Sequence, residues 1–270
     1  MAEQLHLEIL AQPDDTTCGP TCLQAIYRYL GDVMPLEQVI AEIPKLEEGG
    51  TLAVWLGCHA LRRGYPVVIY TFNLRVFDPT WFLQVPSADS AESPKGTVRT
   101  EPLGKMRSRG DVPATHLIDR LTAQMAVKTT DKLRAASRAY IEFLQLGGKI
   151  RMEDLNGNLI RRYLKRSIPV LTGLSATYLY GCPREFGVDC SPDDVRGVAT
   201  GHFVVLCGYD KLRQTTLVAD PYRSNPLAQN HLYEVGFDRL VCSILLGVLT
   251  YDANLMVIQP QEPGVSFCPP

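Results

Sequence analysis

A cysteine at position 18 has a glutamine six residues before it, at position 12, and an amphipathic stretch behind it. In QPDDTTCGPTCLQAIYRYLG, residues 12–31, Leu23, Ile26, Tyr27 and Leu30 recur at i, i+3, i+4 and i+7 after the turn Cys18-Gly19-Pro20. That set of offsets is one face of a helix of three turns. Pro20 suits a first turn, where its missing N–H costs nothing, and Gly31 suits a helix C-terminus, where positive φ is wanted. A thiol at the mouth of such a helix feels the positive end of the macrodipole and unpaired backbone N–H groups, both of which favour thiolate over thiol. The same N–H groups, joined by the Gln12 side-chain amide, make a donor set suited to an oxyanion. Taken alone, Cys18 reads equally as a small buried apolar residue.

A base and its orienter are present far down the chain. GHFVVLCGYD opens with Gly201-His202, which presents the histidine at the start of a strand while Phe203 to Leu206 are buried. Eighteen residues on, Asp220 ends the strand TTLVAD just before Pro221. If the two strands pair through the KLRQ turn, Val204–Leu206 faces Thr216–Val218 and His202 comes near Asp220. A carboxylate then orients one imidazole nitrogen while the other accepts a thiol proton. Singly, His202 is an edge histidine and Asp220 a turn residue. With Gln12 and Cys18, they form a nucleophile, base, orienter and oxyanion donor.

Composition narrows the class. The chain has 270 residues, 46% of them hydrophobic, with net charge −2 and a pI near 6.2. It can bury a sizeable core, and nothing in the charge suggests nucleic acid or an anionic membrane as partner. MAEQLHLEIL lacks the parts of a signal peptide, and no uncharged run reaches about 18 residues, so a soluble, cytoplasmic location is expected. The eight cysteines, at 18, 22, 58, 182, 190, 207, 242 and 268, contain no Cys-x-x-Cys pair. Reduced thiols, no metal and no cofactor are expected, with Cys182 and Cys190 flanking a loop without pairing.

The remaining patterns place these residues. Residues 1–11 read as an extended lead-in, then MPLEQVIAEI and GGTLAVWLGCHALRRGYP as helices, with His59 on the latter as a packing or surface histidine. PVVIYTFNL is a strand by its β-branched and aromatic content. Residues 84–113 are polar, broken and loosely basic, and read as an insertion or mobile segment. Residues 114–146 carry two helical stripes, DLNGNLIRRYLKR a shorter one. SIPVLTGLSATYLY, GHFVVLCGYD, TTLVADPY and SILLGVLTYDANLMVIQP read as strands. A helical front half packed on a C-terminal antiparallel sheet is α+β segregation, read as one domain over residues 1–270.

The glutamine, the Cys-Gly-Pro helix start, the later Gly-His before apolar residues and Gly-Tyr, and the Asp-Pro ending the next strand resemble the papain-like cysteine peptidases. Within that superfamily the chain is most similar to the bacteriocin-processing peptidases that cleave after a double-glycine leader. The resemblance implies the papain-like fold and a peptide or amide substrate. It implies Cys18 as nucleophile, His202 as general acid/base, Asp220 as its orienter and Gln12 as oxyanion donor. It covers the two ends of the chain; residues 70–150 have no counterpart, and the family's peptidase domain is shorter. The same residues also serve acyl transfer to an amine, and a cleft of this form with a silent cysteine would be a peptide-binding module.

Overall fold

The computed structural model describes residues 2–47, 49–83, 111–187 and 189–261. Among the described residues, eight strands form the main sheet. They are β1 (Ala2–Gln4), β2 (Val67–Thr71), β3 (Lys149–Arg151), β4 (Val170–Ser175), β7 (Gly201–Asp210), β8 (Thr215–Ala219), β9 (Leu232–Gly236) and β10 (Asn254–Ile258). The order is β3-β2-β10-β4-β7-β8-β9, with β1 attached to the far end of β7. Every pair is antiparallel except β2 with β3. A two-stranded ribbon, β5 (Glu185–Phe186) with β6 (Ser191–Pro192), stands outside it.

Both faces of the central strands are covered, which is why β2, β4 and β10 are largely apolar and buried at every residue. One face packs on α1 (Cys18–Tyr29), α2 (Leu36–Glu42), α3 (Ala53–Arg62), α4 (Ala114–Val127) and α5 (Asp131–Gln145), whose inward residues share a core with Ile69, Val205 and Met256. The other packs on α6 (Gly157–Leu164), α7 (Ala176–Tyr180) and α8 (Phe237–Leu246), around Val68, Val204 and Leu255. None of the described helices is long and apolar enough to cross a membrane. The helical front half, the mainly antiparallel sheet and the α+β class agree with the sequence pattern.

Three local expectations change. SILLGVLTYDANLMVIQP is not one strand: its first part is α8 and a 3-10 turn, Gly247–Thr250, and only Asn254–Ile258 is strand. Leu240, Ser243, Ile244 and Gly247 are buried at helical offsets, and a short apolar run does not separate helix from strand by itself. SIPVLTGLSATYLY breaks at Ser175, whose hydroxyl accepts from the Tyr178 N–H and starts α7. In the β7–β8 pairing Leu206 lies opposite Val218, two residues from the expected register, and past a bulge between Leu206 and Gly208 the offset becomes three, with Tyr209 opposite Thr216. On the His202 side of the bulge, a shift of two keeps every side chain on its face. The lead-in is strand only over Ala2–Gln4, and β9 arises from a stretch that the sequence reading left unassigned. The expected 84–113 segment lies outside the described residues except for 111–113.

Candidate active site

Cys18 is the first residue of α1 and 8% exposed. Thr17 before it makes no side-chain cap, so its hydroxyl leaves the first N–H groups of the helix unpaired by that residue. Instead Thr17 turns back and donates to the Asp14 carbonyl at 3.0 Å, and the Asp14 carboxylate accepts from the Thr16 N–H at 2.8 Å. This knotted loop delivers the helix to the sheet. One turn deeper, the Cys22 thiol is fully buried and donates to the Phe203 carbonyl at 3.2 Å, which ties α1 to the residue after His202.

His202 lies opposite Leu174 of β4, one residue into β7, and is 7% exposed. Its Nε2 meets Asp220 Oδ1 at 2.8 Å, and the Cys18 thiol lies near enough to favour the charged imidazole. With Nε2 committed to the carboxylate, Nδ1 is the nitrogen left for the thiol proton. Asp220, fully buried at the end of β8, accepts from four donors. The Tyr222 N–H joins His202 on Oδ1 at 2.9 Å, and the hydroxyls of Tyr180 and Tyr233 meet Oδ2 at 2.7 and 2.5 Å. Burial works to raise the Asp220 pKa, but the imidazole and the two tyrosine hydroxyls hold it below the ordinary value. For His202, burial opposes the imidazolium, and Asp220 with Cys18 outweighs it, so the imidazole pKa is raised.

Gln12 reaches the same corner through the chain: its N–H donates to the Pro221 carbonyl at 2.9 Å, next to Asp220. Its side-chain Nε2 donates to the Asp14 carbonyl at 3.0 Å, while Oε1 is buried without a partner. The structure therefore brings Cys18, His202 and Asp220 together and sets Gln12 on the loop that docks against Pro221.

A second carboxylate lies close by. Asp252 is 6% exposed, and a Cβ on Gly201 would collide with its carboxylate, so glycine at that position is what lets it approach the strand of His202. Burial pushes Asp252 up to about 7, against weaker opposing effects of Thr250, Lys132 and His202. Asp252, Tyr180, Tyr222 and Tyr233 escaped the sequence reading. None carries a motif; Tyr222 follows Asp220 by two residues, whereas Tyr180, Tyr233 and Asp252 reach the site only through the packing of other segments. His59, expected to be a packing or surface residue, is buried between the Tyr27 hydroxyl at 2.7 Å and Glu42 at 3.0 Å. The seven cysteines among the described residues are free, Cys182 and Cys190 included; Cys268 lies outside them. Among the described residues, no group of three or more His, Cys, Asp or Glu is placed to hold a metal ion.

Residues 123–239 match the model of the Peptidase_C39 like family, a span that contains His202 and Asp220 and leaves out Gln12 and Cys18. The match makes this part of the chain similar to that family. A solved structure from Bacillus anthracis, provisionally described as a C39-like peptidase, aligns over 96% of this chain and 98% of its own, at 13% identity and a TM-score of 0.44. No curated protein matches the chain.

Proposed function

We propose that the protein is a cysteine peptidase that hydrolyses a peptide or amide bond, with Cys18 as nucleophile. The observation that carries the reading is the nearness of Cys18, at a helix start without a side-chain cap, to His202, whose Nε2 meets Asp220 at 2.8 Å. His202 Nδ1 takes the Cys18 proton, and the thiolate attacks the substrate carbonyl carbon. The carbonyl electron pair moves onto oxygen, where the Cys18 N–H and the free hydrogen of the Gln12 amide receive it. As the tetrahedral adduct collapses, the C–N bond breaks and the imidazolium gives its proton to the departing amine. Water, deprotonated by the same imidazole, then cleaves the thioester and restores the thiol. Asp220 fixes the ring with Nε2 protonated throughout and stays ionised.

The test is alkylation of Cys18 by iodoacetamide across pH, read by peptide mass spectrometry, in the wild type and in His202→Ala. Rapid labelling well below pH ~8.5, the ordinary thiol value, that is lost in His202→Ala is the expected outcome. Turnover of a fluorogenic peptide library should vanish in Cys18→Ala. Peptidase activity retained in that variant, or an ordinary thiol profile in the wild type, would overturn the proposal.

A further inference from the structure

A basic concavity lies at the other end and the other edge of the sheet. It has a volume of about 330 Å³, and Lys149, Arg151, Arg162, Tyr163, Arg166 and Gln259 are among its lining residues, with no carboxylate. Strand alternation puts Lys149 and Arg151 on one face of β3 while Ile150 is buried on the other. Helical spacing puts Arg162 and Arg166 on one face at i, i+4, on α6 and just past its end. The hollow forms where those two cationic faces meet. It opens near Val68, which aligns through Val257 and Val170 with Leu206. His202 is four residues away along β7 and three strands across, so the two places are separated by roughly 15 Å in each direction.

The cations are held in place from below. The Tyr70 and Tyr163 hydroxyls are 2.6 Å apart, and Nη1 of both Arg151 and Arg162 approaches the Tyr70 oxygen, at 3.3 and 3.4 Å. Asp111 holds Lys149 at 2.8 Å and Arg151 at 2.7 Å, and Glu153 holds Arg162 at 3.1 Å. Arg166 makes no ion pair among the described residues. Four positive charges thus face two negative ones, and the remaining donors converge on one hollow. Edge strands commonly carry lysine and arginine to discourage strand addition. That purpose does not require two guanidinium groups locked to a shared buried hydroxyl, nor a second pair from a helix.

We propose that this hollow binds a phosphate-bearing anion larger than inorganic phosphate, with Arg162 and Arg166 as its principal donors and Lys149 as a further charge. Guanidinium forks match phosphoryl oxygens, and net positive charge with preset donors lowers the ordering cost of binding. The site is separate from Cys18 and stands whether or not the peptidase reading does.

Calorimetric titration of the full chain with pyrophosphate, ATP and citrate at constant ionic strength tests it, with thermal unfolding in parallel. Saturable binding of pyrophosphate or ATP, a raised Tm, and at least about tenfold weaker binding in Arg162→Gln/Arg166→Gln are expected. The single variant Arg166→Gln, at a residue without an ion pair among those described, guards against misfolding of the double one. Preference for ATP over pyrophosphate would identify a nucleotide as the source of the phosphates, and the reverse an inorganic polyphosphate. No saturable binding to the wild type, equal binding by both variants, or citrate bound as tightly as pyrophosphate would overturn the proposal. Cys18 alkylation should be unchanged in the variants.

Discussion

Asp220 and Asp252 are two buried carboxylates near the same histidine, and they are pushed in opposite directions. Asp220 receives four hydrogen bonds, one from the imidazole, one from a backbone N–H and two from tyrosines, and is held ionised in spite of its burial. Asp252 is as deep but has little beyond Thr250 and the charges of Lys132 and His202 to stabilise an anion, so burial dominates and its pKa rises to about 7. The lesson is that donors aimed at the oxygens, and not depth, decide whether a carboxylate near this base carries charge.

The contrast can be broken most forcefully at Asp220. Asp220→Asn keeps the shape but presents the wrong partner to Nε2, and peptide turnover should fall by about 10³ to 10⁴-fold with the fold retained by circular dichroism. A loss below tenfold would mean that Asp220 does not orient the base. Its effect on stability has a defined sign. The lowered Asp220 pKa gives stability that is present above its unfolded value, near 3.8, and is lost as the pH falls through the folded value. The raised His202 pKa gives stability that is complete below 6.5 and is lost as the pH rises through the higher folded value.

Asp252 should behave in the opposite way to Asp220. Because its folded pKa is raised, stability is full below about pH 4 and declines as the pH rises towards its folded value of about 7. The loss amounts to at most about 4 kcal/mol at neutral pH. Asp252→Asn should flatten that slope in denaturant titrations between pH 4 and pH 7; an unchanged slope would remove Asp252 as its source. The smallest effect belongs to the tyrosines. Tyr233→Phe deletes one donor to a charged acceptor and should cost about 1.5–3 kcal/mol, with the acid limb of the stability profile moved to higher pH. A neutral Tyr233→Phe would mean that Tyr180 alone suffices for Oδ2.

The Cys18 helix was legible because its apolar spacing, its proline and its terminal glycine agree, and Gly31 indeed has φ +85°. His202 and Asp220 were legible because one short hairpin joins them, and hairpin pairing is a local matter even when a bulge moves the register. The α8 segment was misread because ten apolar-rich residues satisfy strand and helix alike until a partner is chosen.

By itself, the sequence determined the segregation of helices from strands and the four residues of the candidate site. Periodicity and turn chemistry are written in neighbouring residues and need no distant contact. Only the tertiary structure decided that Tyr180 and Tyr233 converge on Asp220, that Asp252 stays poorly solvated beside Gly201, and that β3 and α6 close a basic hollow over the Tyr70 hydroxyl. Each depends on which strands lie side by side. That choice is made by burial of the whole apolar surface, a property no single stretch of the chain contains.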